Sequence, residues 1–267
     1  MEEDWDNLVI LDACRFDMLD RRGLFGDTMS SRLSPGSESW EFMQASFEGR
    51  QLHDTVYVTA NPHTSKLSTG TFHAVINLLD RYWNDEFHTV LPETVVEQTE
   101  RAFDKYPDKR LISHFMQPHF PFIGKLGRTL DYKGIEPSRN GENWDERPHP
   151  WFTLLHDSTD DREGIIEAYK ENLDVVLPYV ERLLDSLSGK TIVTADHGNL
   201  LGEWTFPIPV RAYGHPRGLH KRELIKVPWV EVESAERRSV TTEPPVEHEE
   251  IDQDVLKERL ADLGYHE

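Results

Sequence analysis

Two short apolar runs, each ending in an aspartate, constrain this chain more than any other feature. Leu8-Val9-Ile10-Leu11 runs into Asp12, and Thr191-Ile192-Val193-Thr194-Ala195 runs into Asp196-His197-Gly198. A continuous apolar run of this length fits a strand buried on both faces of a parallel sheet. Polar residues just past the carboxyl ends of such strands sit where open α/β sheets bind ligands.

The rest of the chain supplies the partners such strands need. Thr55–Thr59, Leu111–Phe115 and Val227–Val232 read as further strands. A short helix is predicted over Arg15–Arg22, with Gly23 as its stop. Thr71–Trp83 and Glu93–Tyr106 carry apolar residues at helical spacing. Glu163–Leu187 does so most clearly, with Tyr169, Leu173, Val176, Val180, Leu183, Leu184 and Leu187 on one stripe. Pro178 is expected to interrupt that helix. Residues 124–162 show little periodicity and read as a long loop, functional or disordered. Strands alternating with helices predict an α/β fold, a three-layer α/β/α sandwich around a mostly parallel sheet, over residues 1–232. Residues 233–267 read as an acidic linker with a short terminal helix, Asp254–Leu263, ended by Gly264.

Composition narrows the function classes. The 49 acidic and 29 basic residues give a net charge of −20, which repels nucleic-acid phosphates and anionic lipid. No apolar run reaches the roughly 18 residues of a membrane span. The acidic start, without an apolar leader core, predicts a cytoplasmic chain. A single cysteine, Cys14, excludes an intrachain disulfide and a Cys-rich zinc site. Arg outnumbers Lys 19 to 10. This balance suits a protein of very high salt, where screening removes self-repulsion, and equally an ordinary acidic protein.

Asp12, Asp196 and His197 are expected together at one sheet edge. Two carboxylates and an imidazole form a donor set for a divalent cation such as zinc or manganese. Taken singly, each residue reads as well as a strand-end cap or loop residue. Their coincidence at two strand ends is what points to a site.

The motifs extend this reading. Asn7-Leu-Val-Ile-Leu-Asp12-Ala-Cys-Arg15-Phe-Asp17 and Thr194-Ala-Asp196-His197-Gly198-Asn-Leu-Leu-Gly202-Glu203 are joined by Phe115-Met-Gln-Pro118-His119-Phe-Pro121 and by Tyr213-Gly-His215-Pro with Glu223-Leu-Ile-Lys-Val227-Pro228. Together they resemble the sulfatase-like branch of the alkaline phosphatase superfamily, archaeal sulfatase-like proteins among them. The four blocks fall in family order between residues 7 and 230. The resemblance implies an alkaline phosphatase-like fold and a nucleophile at a helix start after the first aspartate, where backbone N–H groups can also hold an anion. Aligning Ser34-Pro35 and Phe47 puts the nucleophile at Ser39. Aligning Gly36 and Glu41-Phe42 with the lipoteichoic-acid-synthase-like pattern puts it at Ser37. Ser39 is the preferred position, and the other serine would be the helix cap.

The same resemblance places His119 and His215 beside the substrate anion, one orienting its oxygens and one protonating the leaving oxygen. Arg15, beside Asp17, reads as a structural ion pair, and Cys14 as a small buried apolar residue. His63, His73 and His114 have no motif context, and His156-Asp157 is a weak candidate for a lid contact. The Cys-x-Pro-Ser-Arg motif of formylglycine sulfatases is missing, and so is the Asp-x-x-x-His pair of a second metal site. The implied cofactor is one divalent ion (Mn, Zn or Ca) bound by Asp12, Asp196, His197 and the serine. The implied activity is a metal-dependent hydrolase or transferase acting on a phosphate or sulfate ester, on a small molecule or linked to a glycan or lipid. A degenerate metal- and anion-binding protein without turnover is the alternative, and a metal-dependent mutase is disfavoured by the missing second site. Phosphate versus sulfate, monoester versus diester, and oligomeric state stay open at this stage.

Overall fold

The computed structural model describes residues 3–130, 149–156, 161–246 and 253–263. Its centre is β1 (Asn7–Leu11), buried along its whole length. Aliphatic residues from Leu8 to Leu11 leave it no face suited to water, so it lies between two neighbours, β5 (Arg110–Phe115) and β6 (Thr191–Thr194), both parallel to it. β3 (Leu52–Thr59) and β4 (Phe72–Asn77) extend the sheet in parallel beyond β5. On the other side β9 (Lys226–Val232) runs antiparallel between β6 and β2 (Met29–Leu33). The order is β2-β9-β6-β1-β5-β3-β4.

Side-chain alternation along the central strands fills two separate cores. Val9, Leu11, Val58, Leu111 and Val193 face the core shared with α3 (Pro92–Lys105), α5 (Arg162–Ser186) and α7 (Gln253–Asp262). Leu8, Ile10, Tyr57, Ile112 and Ile192 face the opposite core, which takes Met43 and Phe47 from α2 (Ser39–Ser46) and its C-cap, together with Trp5. Helices therefore cover both faces of a mostly parallel sheet, the three-layer α/β/α arrangement expected from the sequence.

Several elements differ from the sequence reading. Thr71–Trp83, expected as a helix, contains β4. Its run Phe72-His-Ala-Val-Ile satisfies both periodicities, and pairing with β3 decides the outcome. The polar stretch 124–162 contains α4 (Pro150–Leu155), started by a proline at its first position. Residues 131–148 and 157–160 of that stretch, Asp157 among them, lie outside the described residues. α5 begins and ends one residue earlier than expected, and it runs 25 residues through Pro178 without interruption. The first helix shortens to α1 (Phe16–Asp20). An antiparallel hairpin, β7 (Leu200–Trp204) and β8 (Arg211–Gly214), and a short helix, α6 (Arg222–Ile225), had no counterpart in the sequence reading.

Residues 237–246 lie against the amino ends of the central strands. Thr241 N–H donates to Asp108 O and Glu243 N–H to His53 O. The buried ammonium of Lys109 donates to Thr241 Oγ1 at 2.9 Å and Glu243 Oε2 at 2.7 Å. Leu256, Leu260 and Leu263 of the terminal helix region join the larger core. Gly264 lies outside the described residues.

Candidate active and metal-binding site

At the carboxyl edge of the sheet the chain turns sharply twice. Ala13 takes a positive φ of 59° immediately after Asp12. Its N–H donates to Asp196 Oδ1 at 3.1 Å, and its carbonyl accepts from Tyr169 Oη. The turn after β6 needs Gly198, because a Cβ there would stand 2.1 Å from Glu223 O. Its N–H donates to Leu224 O at 2.6 Å. These two turns hold Asp12 and Asp196-His197 side by side, as the parallel pairing of β1 with β6 requires. All three residues are fully buried.

The preferred serine joins them. Ser39 is the first residue of α2, and its Oγ lies 2.7 Å from Asp196 Oδ2, 3.3 Å from Asp12 Oδ2 and 3.3 Å from His197 Nε2. Ser37 does not reach this centre. Its hydroxyl donates to Glu41 Oε2 at 2.7 Å. Neither serine caps the helix, contrary to expectation. Glu38 does, accepting from Trp40 N and Glu41 N at 2.8 Å each. Those two amides are therefore taken by a side chain rather than offered to an anion. Gly36 permits the close turn, since a Cβ there would stand 2.3 Å from Phe42 N.

Two residues beyond the expected set complete the centre. Asn61, at the start of a short helical turn after β3, donates from Nδ2 to Asp12 Oδ2 at 2.7 Å. His114, within β5, places Nε2 3.7 Å from Asp196 Oδ2, too far for a hydrogen bond, while its Nδ1 meets Tyr57 Oη at 2.7 Å. Ligand atoms of Asp12, His114 and Asp196 lie within 4.8 Å of one another.

The electrostatics suit a cation. Burial, and then the charge of Asp196, push the Asp12 carboxyl well above the ordinary carboxylate range. Burial acts on Asp196 in the same direction, but His197, His114 and Ser39 beside it hold its carboxyl below that range. Asp12 Oδ1 and His114 Nε2 are buried without a hydrogen-bond partner among the described residues. His197 Nδ1–H donates to Gly198 O at 2.7 Å, which turns Nε2 toward the carboxylates. Two carboxylates, an imidazole nitrogen aimed at them and a buried carboxylate oxygen without a partner among the described residues fit a divalent cation. Among the described residues no second group of this kind occurs.

His119 and His215 lie beside this centre. The His215 ring is 4.7 Å from that of His197 and 5.0 Å from that of His119. His119 Nδ1–H donates to Phe120 O at 2.5 Å and His215 Nδ1–H to Asn199 Oδ1 at 3.3 Å. Burial lowers the His119 imidazole to about 4, and burial with the neighbouring histidines takes His215 well below the ordinary range. His63, also buried, is pulled down to about 3. His73 lies elsewhere, against the carbonyls of Glu243 and Pro244. Arg15 pairs with Asp17 at 2.8 Å, as expected, and with Glu203 at 2.6 Å. Cys14 is fully buried, and burial raises its thiol.

No protein-family profile and no curated protein sequence matches this chain. Solved structures do. The integral membrane lipooligosaccharide phosphoethanolamine transferase A of Neisseria meningitidis aligns over 86% of this chain with a TM-score of 0.53 and 14% identity. This chain spans 47% of that protein. The zinc complex of the C-terminal periplasmic domain of EptC from Escherichia coli aligns over 86% of this chain and 72% of its own, with a TM-score of 0.54 and 12% identity. The 2-O GAG sulfatase BT1596 aligns over 97% of this chain and 70% of its own, with a TM-score of 0.53 and 12% identity. The chain shares its fold with these phosphoethanolamine transferases and this sulfatase. At such identities the likeness is one of fold, and the site must be argued from its own geometry. Among the described residues no helix is long and apolar enough to cross a membrane.

Proposed function

We propose that this protein is a metal-dependent enzyme that cleaves a phosphate or sulfate ester through Ser39. The observation that carries the reading is the position of Ser39 Oγ, within 3.3 Å of Asp12, Asp196 and His197 at once. A helix cap or core serine has no reason to meet two carboxylates and an imidazole. Structures sharing the fold include a transferase, a zinc-bound transferase domain and a sulfatase, which supports the reaction class.

Asp12, Asp196, His197 and Ser39 would hold one divalent ion, with His114 as a further donor. When bound, that ion supplies Lewis acidity, lowering the serine pKa and offsetting charge on the ester. The remaining steps belong to the chain. Ser39 Oγ bonds to phosphorus or sulfur, and its proton passes to Asp12 Oδ2, 3.3 Å away, the carboxylate whose proton affinity the fold raises. The bond to the leaving alcohol breaks, and that oxygen takes a proton from His119 or His215. Without an anion beside them burial and the neighbouring histidines disfavour the charged form of both imidazoles. An ester anion reverses that balance, so its arrival brings the proton with it. Water or a second alcohol then attacks the covalent seryl ester, giving hydrolysis or transfer.

The test is an activity screen on aryl phosphate monoesters, diesters and sulfates with single metals added back. Ser39→Ala is expected to lose several orders of magnitude in turnover while keeping its melting temperature within a few degrees. Ser37→Ala is expected to keep turnover and lose about 1 kcal/mol, the worth of one side-chain hydrogen bond. Near-normal turnover in Ser39→Ala would rule out the serine mechanism.

A further inference from the structure

We infer that the β7–β8 hairpin is a docking finger for an anionic lipid surface, which presents the site to an ester carried at that surface. The inference deepens the proposed function and relies on it for the identity of the substrate, though not for the binding itself.

Both strands of the hairpin grow out of the site. β7 begins three residues after His197, and β8 ends at Gly214, next to His215. Each strand advances about 3.4 Å per residue, so the tip at residues 206–208 reaches roughly 20 Å from that base. The tip is apolar and uncovered. Trp204 is 50% exposed, Phe206 80%, Ile208 69% and Val210 52%, four large apolar side chains at alternate positions. Scattered exposed apolar residues are ordinary, but a contiguous run at the end of a projecting hairpin marks an interaction surface. Thr205 N–H donates to Val210 O at 2.9 Å, closing the turn so that these side chains are held out together.

The charge around the finger selects the occupant. The chain as a whole carries −20. From the start of β7, residues 200–226 instead hold Arg211, Arg217, Lys221, Arg222 and Lys226 against two acids, Glu203, which is paired with Arg15, and Glu223, although Arg217 faces Glu38 and Glu41. The structure fastens several cations to the hairpin itself. Arg211 lies 4.8 Å over the Trp204 ring and donates to Gly202 O at 2.7 Å. Lys221 Nζ donates to Trp204 O at 2.7 Å. Arg162, from α5, donates to Tyr213 Oη at 3.0 Å. An apolar tip with an aromatic collar and basic flanks matches the two layers of a lipid interface, acyl chains below and anionic headgroups above. The acidic remainder of the surface would be repelled from such a layer, so attraction is confined to this end of the molecule and the docked orientation is fixed by it.

The experiment is vesicle flotation of the full chain with liposomes of phosphatidylcholine alone or mixed with phosphatidylglycerol. Co-flotation is expected with the mixed vesicles and not with pure phosphatidylcholine at low salt. The double variant Phe206→Ser/Ile208→Ser should reduce the partition coefficient at least tenfold, and Arg211→Gln/Lys221→Gln should flatten its dependence on phosphatidylglycerol. Both variants lie outside the catalytic set and should keep wild-type turnover on a soluble aryl ester. Absence of co-flotation, or unchanged co-flotation in both variants, overturns the inference. So does a hydrodynamic mass of two chains that falls to one in Phe206→Ser/Ile208→Ser, because the tip would then bind a second copy. Co-flotation without turnover on any ester would leave the docking surface standing and remove the proposed reaction.

Discussion

Asp12→Asn separates a metal site from a mere cluster of buried acids, because its effect on stability should change sign with the metal. The carboxylate oxygens of Asp12 and Asp196 lie within 4.8 Å of each other, and at an effective dielectric of ~20 two unit charges at that separation repel by about 3 kcal/mol. Asp12 has its pKa raised in the fold, first by burial and then by Asp196. The stability tied to such a group is fully present below its unfolded pKa and is lost as pH rises through the folded value. Metal-free protein at pH 8 therefore carries a penalty that asparagine removes. The substituted side chain keeps an oxygen for Asn61 Nδ2 and can turn its amide toward His197 Nε2, which lies 3.6 Å from Asp12 Oδ1 in the wild type. In a chelating buffer at pH 8 the variant should melt above the wild type, by up to roughly 6–12 °C for about 3 kcal/mol in a protein of this size. The advantage should shrink as pH falls toward 4. With metal at about a thousand times its Kd, the wild type gains about 4 kcal/mol and the variant little, so the order reverses. Scanning calorimetry at two pH values, with and without metal, reads all four corners. A variant that melts lower than the wild type in chelator at pH 8, with the same deficit when metal is present, would refute the cation-site argument.

Two further outcomes follow from the same geometry and composition. His114→Gln should weaken metal binding by at least about tenfold, the smallest loss usual even for an outer-shell partner of a metal site; elemental analysis after dialysis checks this, and full occupancy would remove His114 from the centre. Melting temperature should rise from low to molar salt, because the Debye length contracts from about 10 Å at 0.1 M to about 3 Å at 1 M and relieves the repulsion within a net charge of −20; a flat or falling curve would dismiss salt adaptation.

The sheet's centre was legible because its strands carry their own burial. Leu8-Val9-Ile10-Leu11 is apolar at successive positions and Thr191–Ala195 nearly so, and only the middle of a parallel sheet accommodates that. The margins were not. β2, Met29-Ser-Ser-Arg-Leu, is an edge strand with exposed and half-buried positions, so its pattern is too mixed to read. Phe72–Asn77 obeys two periodicities at once, and a partner more than a dozen residues away, β3, selects between them. The hairpin of β7 and β8 hides for a different reason. Apolar residues at its tip face solvent, which inverts the rule by which strands are recognised.

Within the site, legibility followed how far each residue's signal is local. Asp12 and Asp196-His197 stand at the ends of obvious strands, and Ser39 stands at a helix start, so each leaves a trace within a few residues. Asn61 and His114 leave none, although Asn61 falls under the rule that exposed the others. Asn61 lies just past the carboxyl end of the expected strand Thr55–Thr59, and His114 lies one residue before the end of Leu111–Phe115. The parallel register puts Ile10, His114 and Thr59 level with one another across β1, β5 and β3. Applied to Thr55–Thr59 as well as to the two strands that carry motifs, the same rule would have added Asn61, while His114, inside its strand, needs the register of β5 against β1. Asp12, His114 and Asp196, from different strands, are those whose ligand atoms lie within 4.8 Å of one another. The site is thus a property of the sheet's carboxyl edge as a whole, and the motifs mark only the part of it that is contiguous in sequence.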